Sequence, residues 1–183
     1  NLQNIPVRTE LGAQLRKMFV AGPGKVLVDA DYSQIELRLL AHMAEDEHMI
    51  GAFRTGEDIH TITASQVFGV EPDQVTGEMR RRAKAVNFGI VYGIGAYSLS
   101  HDINVSVAEA KRYIEEYLKT YSGVRAYMDK VVEDAKEHGY VETLYHRKRE
   151  LHDINATNKV VQANAKRIAF NTPVQGTAAD IIK

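Results

Sequence analysis

Arg80, Lys84, Phe88 and Tyr92 recur at every fourth position of the run from Arg80 to Gly93. A helix turns about 100° per residue, so each step of four drifts by about 40° and the four side chains share about 120° of one face. Two cations stand at one end of that face and two aromatic rings at the other, the order that a phosphate tail joined to a flat base requires. Met79, Ala83, Val86 and Ile90 repeat at helical spacing on another face and offer a stripe to a core. Taken alone, the first face also fits solvated charge and ordinary aromatic packing. Against that, Arg80, Arg81, Arg82 and Lys84 crowd one turn, where like charges cost a helix roughly a few tenths of a kcal/mol. An anionic partner would offset that repulsion.

The rest of the chain reads mostly as helix. Helices are expected at about 34–44, 46–54, 58–68, 76–92, 107–120 and 123–138, joined by short turns bearing Gly, Pro or Asn. A final long helix should start near Asn155, with Pro173 breaking or kinking it. Val26 to Ala30 reads as a short buried strand behind Gly22-Pro23-Gly24, and Thr143 to Asp153 as an extended, basic hairpin or loop. The sum is an α+β fold, predominantly α-helical, with a strand-bearing platform first, a helical lobe in the middle and a return at the end.

At 183 residues the chain can bury a substantial core, as one large domain or two small ones. With 44% hydrophobic and 26% charged residues it matches soluble globular proteins, and no apolar run reaches the ~20 residues that a bilayer crossing needs. Zero cysteines exclude a disulfide framework and a thiolate metal site, which fits a reducing cytoplasm. A net charge of −1 argues against nonspecific polyanion binding by the whole surface, so any nucleic-acid contact must use local basic patches. The start at Asn1-Leu2-Gln3 and the stop at Asp180-Ile181-Ile182-Lys183, partway through an expected helix, suggest a piece of a longer polypeptide.

Asp31 falls where the expected strand gives way to a helix. A carboxylate on such an edge can hold Mg²⁺, which takes one or two carboxylates plus phosphates and water. It can equally be an N-cap. Glu36, in the first turns of the helix, gains from the helix dipole whatever its role. Together, Asp31-Tyr32-Ser33-Gln34-Ile35-Glu36-Leu37-Arg38 resembles motif A of the family A DNA polymerases, the bacterial DNA polymerase I group. The Arg-x-x-x-Lys-x-x-x-Phe-Gly-x-x-Tyr-Gly run of residues 80–93 resembles motif B of that family. The likeness extends over Asn1 to Arg8, Asp58-Ile59-His60 and Asn171 to Asp180, with Gram-positive wording at Leu144-Tyr145-His146-Arg147.

The resemblance implies palm segments at 1–45 and 155–183, fingers at 46–154, and template-directed DNA synthesis by two-metal nucleotidyl transfer in the parent protein. It assigns Asp31, with the backbone carbonyl of Tyr32, to a pair of Mg²⁺ ions, and names Asp31, Arg80 and Lys84 as catalytic. Arg80, Lys84 and His60 would grip the triphosphate, Gln34 would join the nucleotide site, Phe88 would pack on sugar and base, and Tyr92 would sit near the nascent pair. Glu36 would crowd the 2′ position and reject ribonucleotides. Gln3, Asn4, Arg167, Asn171 and Gln175 would touch primer-template DNA, mostly backbone and minor groove. The partners implied are primer-template DNA, a dNTP and the remainder of the polymerase chain, with no membrane and a cytoplasmic setting.

Plainer roles stay open for some of these. His60 fits a surface histidine at a helix start, and Asn171 and Gln175 could satisfy backbone broken near Pro173. Asp58 reads as a helix cap. The stretch His146-Arg147-Lys148-Arg149 fits a solvated loop as well as a phosphate contact. His101, His138 and His152 lack metal-site spacing, and Gly22-Pro23-Gly24-Lys25 precedes its strand and so is no P-loop. Gly95 and Ser98 stand where the family usually has Ser and Gly, and His152 where Pro is common. The family's His-Asp-Glu turn, with the second metal carboxylate, would lie beyond Lys183. On that ground the 183 residues alone are expected to bind nucleotide and DNA without catalysis. A single-subunit RNA polymerase relative shares a similar Lys-to-Tyr-Gly helix, but the Tyr-Ser-Gln-Ile-Glu-Leu-Arg wording disfavours it.

Overall fold

The computed structural model describes residues 10–28 and 30–183 and divides them into two units, Asn1–Ser33 and Gln34–Lys183. In the first, helix α1 (Glu10–Arg16) is followed by irregular chain with a turn at Gly22, whose carbonyl accepts from the Lys25 amide at 3.0 Å. The strand expected at 26–30 does not form. Val26, Leu27 and Val28 are exposed and carry no ladder (Asp29 lies outside the described residues). A strand needs a neighbour for its N–H and C=O groups, and among the described residues the only ladder lies far along the chain.

The second unit is helical. It runs α2 (Ile35–Met43), α3 (Glu47–Thr55), α4 (Ile59–Phe68), a 3₁₀ turn (Pro72–Gln74), α5 (Gly77–Val91), α6 (Ala96–Ile103), α7 (Val107–Thr120) and α8 (Ser122–His138). Strands β1 (Tyr140–Glu142) and β2 (Lys148–Glu150) then pair antiparallel, with Val141 opposite Arg149, before the long helix α9 (Lys159–Ile182). The α+β, mainly helical class holds, its sheet being this one hairpin. The final helix begins at Lys159, because Asn158 caps it through the amides of Val160 and Val161. Pro173 sits buried inside the helix, which continues to Ile182. Helix α6 falls outside the expected set, its eight residues being too few to carry a clear periodic signal. No helix among the described residues is long and apolar enough to cross a membrane.

Local chemistry starts these helices. Asp46, Asp58 and Thr76 cap α3, α4 and α5, and Ser106 with Glu109 forms a capping box on α7. The core is built where α2, α3, α4, α5, α7 and α9 face one another, around Leu37, Leu40, Met49, Ile59, Val86, Tyr117, Tyr121 and Phe170. Asp46 joins two parts of it. One of its carboxylate oxygens caps Met49 at 3.0 Å, and the other accepts from the Gly123 amide at 2.9 Å, fixing the start of α8. A second small core of Ala135, Val141, Leu151, Ile154, Ala165 and Ala169 seats the hairpin on α8 and α9.

Candidate functional site

Helix α5 separates its faces as its spacing demands. Ala83, Val86 and Ile90 are at most 2% exposed, while Arg80, Lys84 and Tyr92 face outward and Phe88 is half-buried. Lys84 Nζ lies 5.9 Å from the Phe88 ring centre, and Phe88 and Tyr92 stack at 6.4 Å with an 18° tilt. The cation and the two rings therefore make one continuous strip.

At the cationic end, Asp58 has two tasks. It caps α4 by accepting from the Thr61 amide at 3.1 Å, and it grips Arg80 through Nε at 2.7 Å and Nη2 at 3.2 Å. Burial alone would raise its pKa, but the Arg80 and Thr61 hydrogen bonds and the Arg80 charge bring it down to about 2. Glu78 pairs with Arg82 at 2.6 Å. Part of the anionic compensation anticipated for this turn thus comes from the protein itself.

His60 is 2% exposed, at the start of α4, with its ring 5.8 Å from that of Phe88. Its Nδ1 lies 3.0 Å from the Asn87 amide nitrogen. Burial, together with the charges of Arg80 and Lys84, outweighs the pull of Asp58 and lowers its pKa to about 4. It is a neutral, buried imidazole at physiological pH, not the surface histidine that its sequence position also allowed.

At the aromatic end, the Tyr92 hydroxyl donates to Glu36 Oε2 at 2.8 Å, joining α5 to the first turn of α2. Burial first, then the Glu36 hydrogen bond and charge, push the Tyr92 pKa up to about 12, so the phenol keeps its proton. Gln175 of α9 lies beside the Tyr92 side chain and opposes that rise only in part. Gly93 follows with φ +65°. A Cβ there would stand 2.6 Å from Arg167 Cγ, so a glycine is required both by the left-handed turn and by the close approach of α9. Glu36, Tyr92, Gln175 and Arg167 thereby come together, although the sequence separates them widely. Asn171, on the same helix, keeps a buried Oδ1 with no partner among the described residues.

Asp31 and Tyr32 are exposed on the irregular segment of the first unit. The cap position of α2 belongs to Gln34, half-buried and left-handed at φ +56°, and not to Asp31. Gln3 and Asn4 lie outside the described residues. Among the described residues no group of three or more His, Cys, Asp or Glu side chains is placed to share a metal ion. A lone carboxylate such as Asp31 fits the oxygen preference of Mg²⁺ but provides only part of its coordination.

Comparison with known proteins identifies the family. The family model for DNA polymerase family A matches residues 1–183. DNA polymerase I of Streptococcus pneumoniae is 55% identical over all of this chain and 21% of its own length. That of Geobacillus stearothermophilus is likewise 55% identical, and the thermostable enzyme of Thermus thermophilus is 53% identical. The chain spans about a fifth of the length of these relatives. The solved POL domain of Pol1 from M. smegmatis, in complex with DNA primer-template and dNTP, superposes with a TM-score of 0.89 at 46% identity, covering all of this chain and 32% of that one. The chain belongs to DNA polymerase family A.

Proposed function

We propose that this chain is the nucleotide-selecting part of a template-directed DNA polymerase, with fingers at 46–154 and palm segments at 1–45 and 155–183. The observation that carries the proposal is the strip on α5, where Arg80, Lys84, Phe88 and Tyr92 run in order from cation to ring and end against Glu36. Arg80 and Lys84 bind the phosphates of an incoming dNTP, and His60 donates a hydrogen bond to them. Phe88 packs on sugar and base. Glu36, pinned by Tyr92, fills the volume that a 2′-hydroxyl would need, and Gln34 borders it. Arg167, Asn171 and Gln175, with Gln3 and Asn4, hold the primer-template.

Asp31 and the carbonyl of Tyr32 would hold Mg²⁺ together with carboxylate and phosphate ligands from outside the described residues. When bound, a metal pair supplies charge stabilisation to the attacking and leaving oxygens of an in-line displacement. The cytoplasmic setting follows from the same proposal, since that is where a bacterium keeps its template.

Primer extension by the intact protein tests this. Asp31→Ala should abolish extension while primer-template binding persists, and extension at a near-normal rate would refute the metal role. Glu36→Ala should raise ribonucleotide incorporation, and an unchanged sugar preference would remove the gate. The 183 residues alone should bind dNTP without extending a primer. Measurable synthesis by them would refute the claim that a second carboxylate from elsewhere is needed.

A further inference from the structure

We propose that Tyr121, Thr63 and Asn87 form a one-directional hydrogen-bond relay that fixes His60 as an Nε2–H donor, so that it meets a triphosphate as a neutral donor and not as a cation. The ligand half of this rests on the nucleotide-binding function proposed above.

The four side chains are buried at 0–2% exposure and tie three parts of the core. His60 and Thr63 lie on α4, Asn87 on α5, and Tyr121 at the junction of α7 and α8. Tyr121 Oη is 3.2 Å from Thr63 Oγ1, which is 3.2 Å from Asn87 Oδ1, and Asn87 Nδ2 is 3.0 Å from His60 Nδ1.

The direction follows from counting protons. Among the described residues, Thr63 is the hydrogen-bond partner of the Tyr121 hydroxyl, and a buried O–H without an acceptor is costly. Burial pushes the phenol up to about 12, so the proton is present at neutral pH and must go to Thr63 Oγ1. Thr63 has one proton of its own, and it goes to Asn87 Oδ1. That sets the amide, whose Nδ2 donates to His60 Nδ1. A nitrogen that accepts carries no proton, so the ring proton sits on Nε2. Full reversal would leave the Tyr121 proton with no acceptor, and an amide turned to donate to Thr63 would leave the buried Thr63 proton without one among the described residues. A doubly protonated ring would set two donors head to head at Asn87.

The charged groups acting on His60 are Asp58, Arg80 and Lys84. Two of them are cations, so a third positive charge is disfavoured beside them while a neutral donor is not. The relay thus gives the phosphate end one directional hydrogen bond that does not titrate between about pH 6 and 8.

Nitrogen-15 NMR of the intact protein, labelled at histidine and assigned with His60→Gln, reads this directly. The expected result is a His60 protonated at Nε2 only, unchanged from about pH 6 to 8. A His60 protonated at Nδ1 in the unaltered protein would overturn the proposal without any variant. Asn87→Asp places an acceptor against Nδ1 and should invert the tautomer or protonate the ring. Tyr121→Phe should broaden the signal into a mixture, and Thr63→Ser should leave it as found. Unchanged nitrogen shifts in folded Asn87→Asp and Tyr121→Phe proteins would also overturn it.

Titration with dATP separates the two proposals. Tyr121→Phe should weaken binding roughly 2- to 10-fold, the range expected for one misdirected hydrogen bond, and Arg80→Ala should weaken it further. No dATP binding by the unaltered protein would refute the nucleotide function and the ligand half of this proposal, while the tautomer stands or falls on the spectrum of the free protein.

Discussion

Asp58→Asn should tighten triphosphate binding, although it removes an ion pair. Arg80 cannot offer its guanidinium fully to a phosphate while Asp58 holds Nε at 2.7 Å and Nη2 at 3.2 Å. Under the proposed nucleotide function, the carboxylate also adds a negative charge to a site that has to attract an anion. The substituted side chain would still cap α4, since an amide oxygen can accept from the Thr61 amide as the carboxylate does. The pair is half-open, with Arg80 and Asp58 side chains 47% and 34% exposed. It therefore falls in the range of exposed pairs, about 0.2–1 kcal/mol. Releasing that restraint corresponds to a gain in affinity of roughly 1.5- to 5-fold, larger at low salt, where repulsion of the triphosphate by Asp58 is less screened. Calorimetric titration of dATP into the intact protein at two salt concentrations measures it, with urea unfolding as the control for the cap. Unchanged or weaker binding at unchanged stability would refute the competition between Asp58 and phosphate for Arg80.

Three further outcomes can be measured by denaturation. His60 has a folded pKa of about 4 against an ordinary 6.5, so between those values the unfolded chain binds the proton and the folded one does not. Stability should therefore fall as pH drops from 6.5 to about 4, by on the order of 3 kcal/mol at most, and His60→Gln should remove that slope. Gly176→Ala puts a Cβ 2.5 Å from Thr143 Cγ2, a short β-branched side chain that also donates to Asp180, so the stability measured by urea unfolding should fall by about 1–3 kcal/mol. A loss below about 0.5 kcal/mol would mean that the hairpin yields more easily than its packing implies. Gly95 begins α6 with no side-chain cap and open space around its Cβ, at φ −86° and ψ 163° that any residue adopts. Gly95→Ser should add a few tenths of a kcal/mol, roughly, seen as a higher midpoint at constant m-value.

Local periodicity and local capping could be read from the order of residues alone. The i, i+4 spacing of α5 separates its outward-facing strip from its core stripe because both are set by helix geometry within a few turns. The ends of α4, α7 and α8 likewise follow from Asp58, Ser106 and Gly139, residues that act on their own neighbours. Whatever joins one helix to another came from the packed molecule instead. Asp58 meets Arg80 from 22 positions away, Tyr92 meets Glu36 from 56, and Tyr121 meets Thr63 from 58, and no spacing in the chain announces these pairs. The expected strand at 26–30 shows the same limit from the other side. Its residues have the right propensity, but a strand exists only through hydrogen bonds to a neighbour, and Val26 to Val28 stay exposed without one. A helix closes its own hydrogen bonds and can be read from its own residues, whereas a ladder, an ion pair across helices or the tautomer of a buried histidine belongs to the packing.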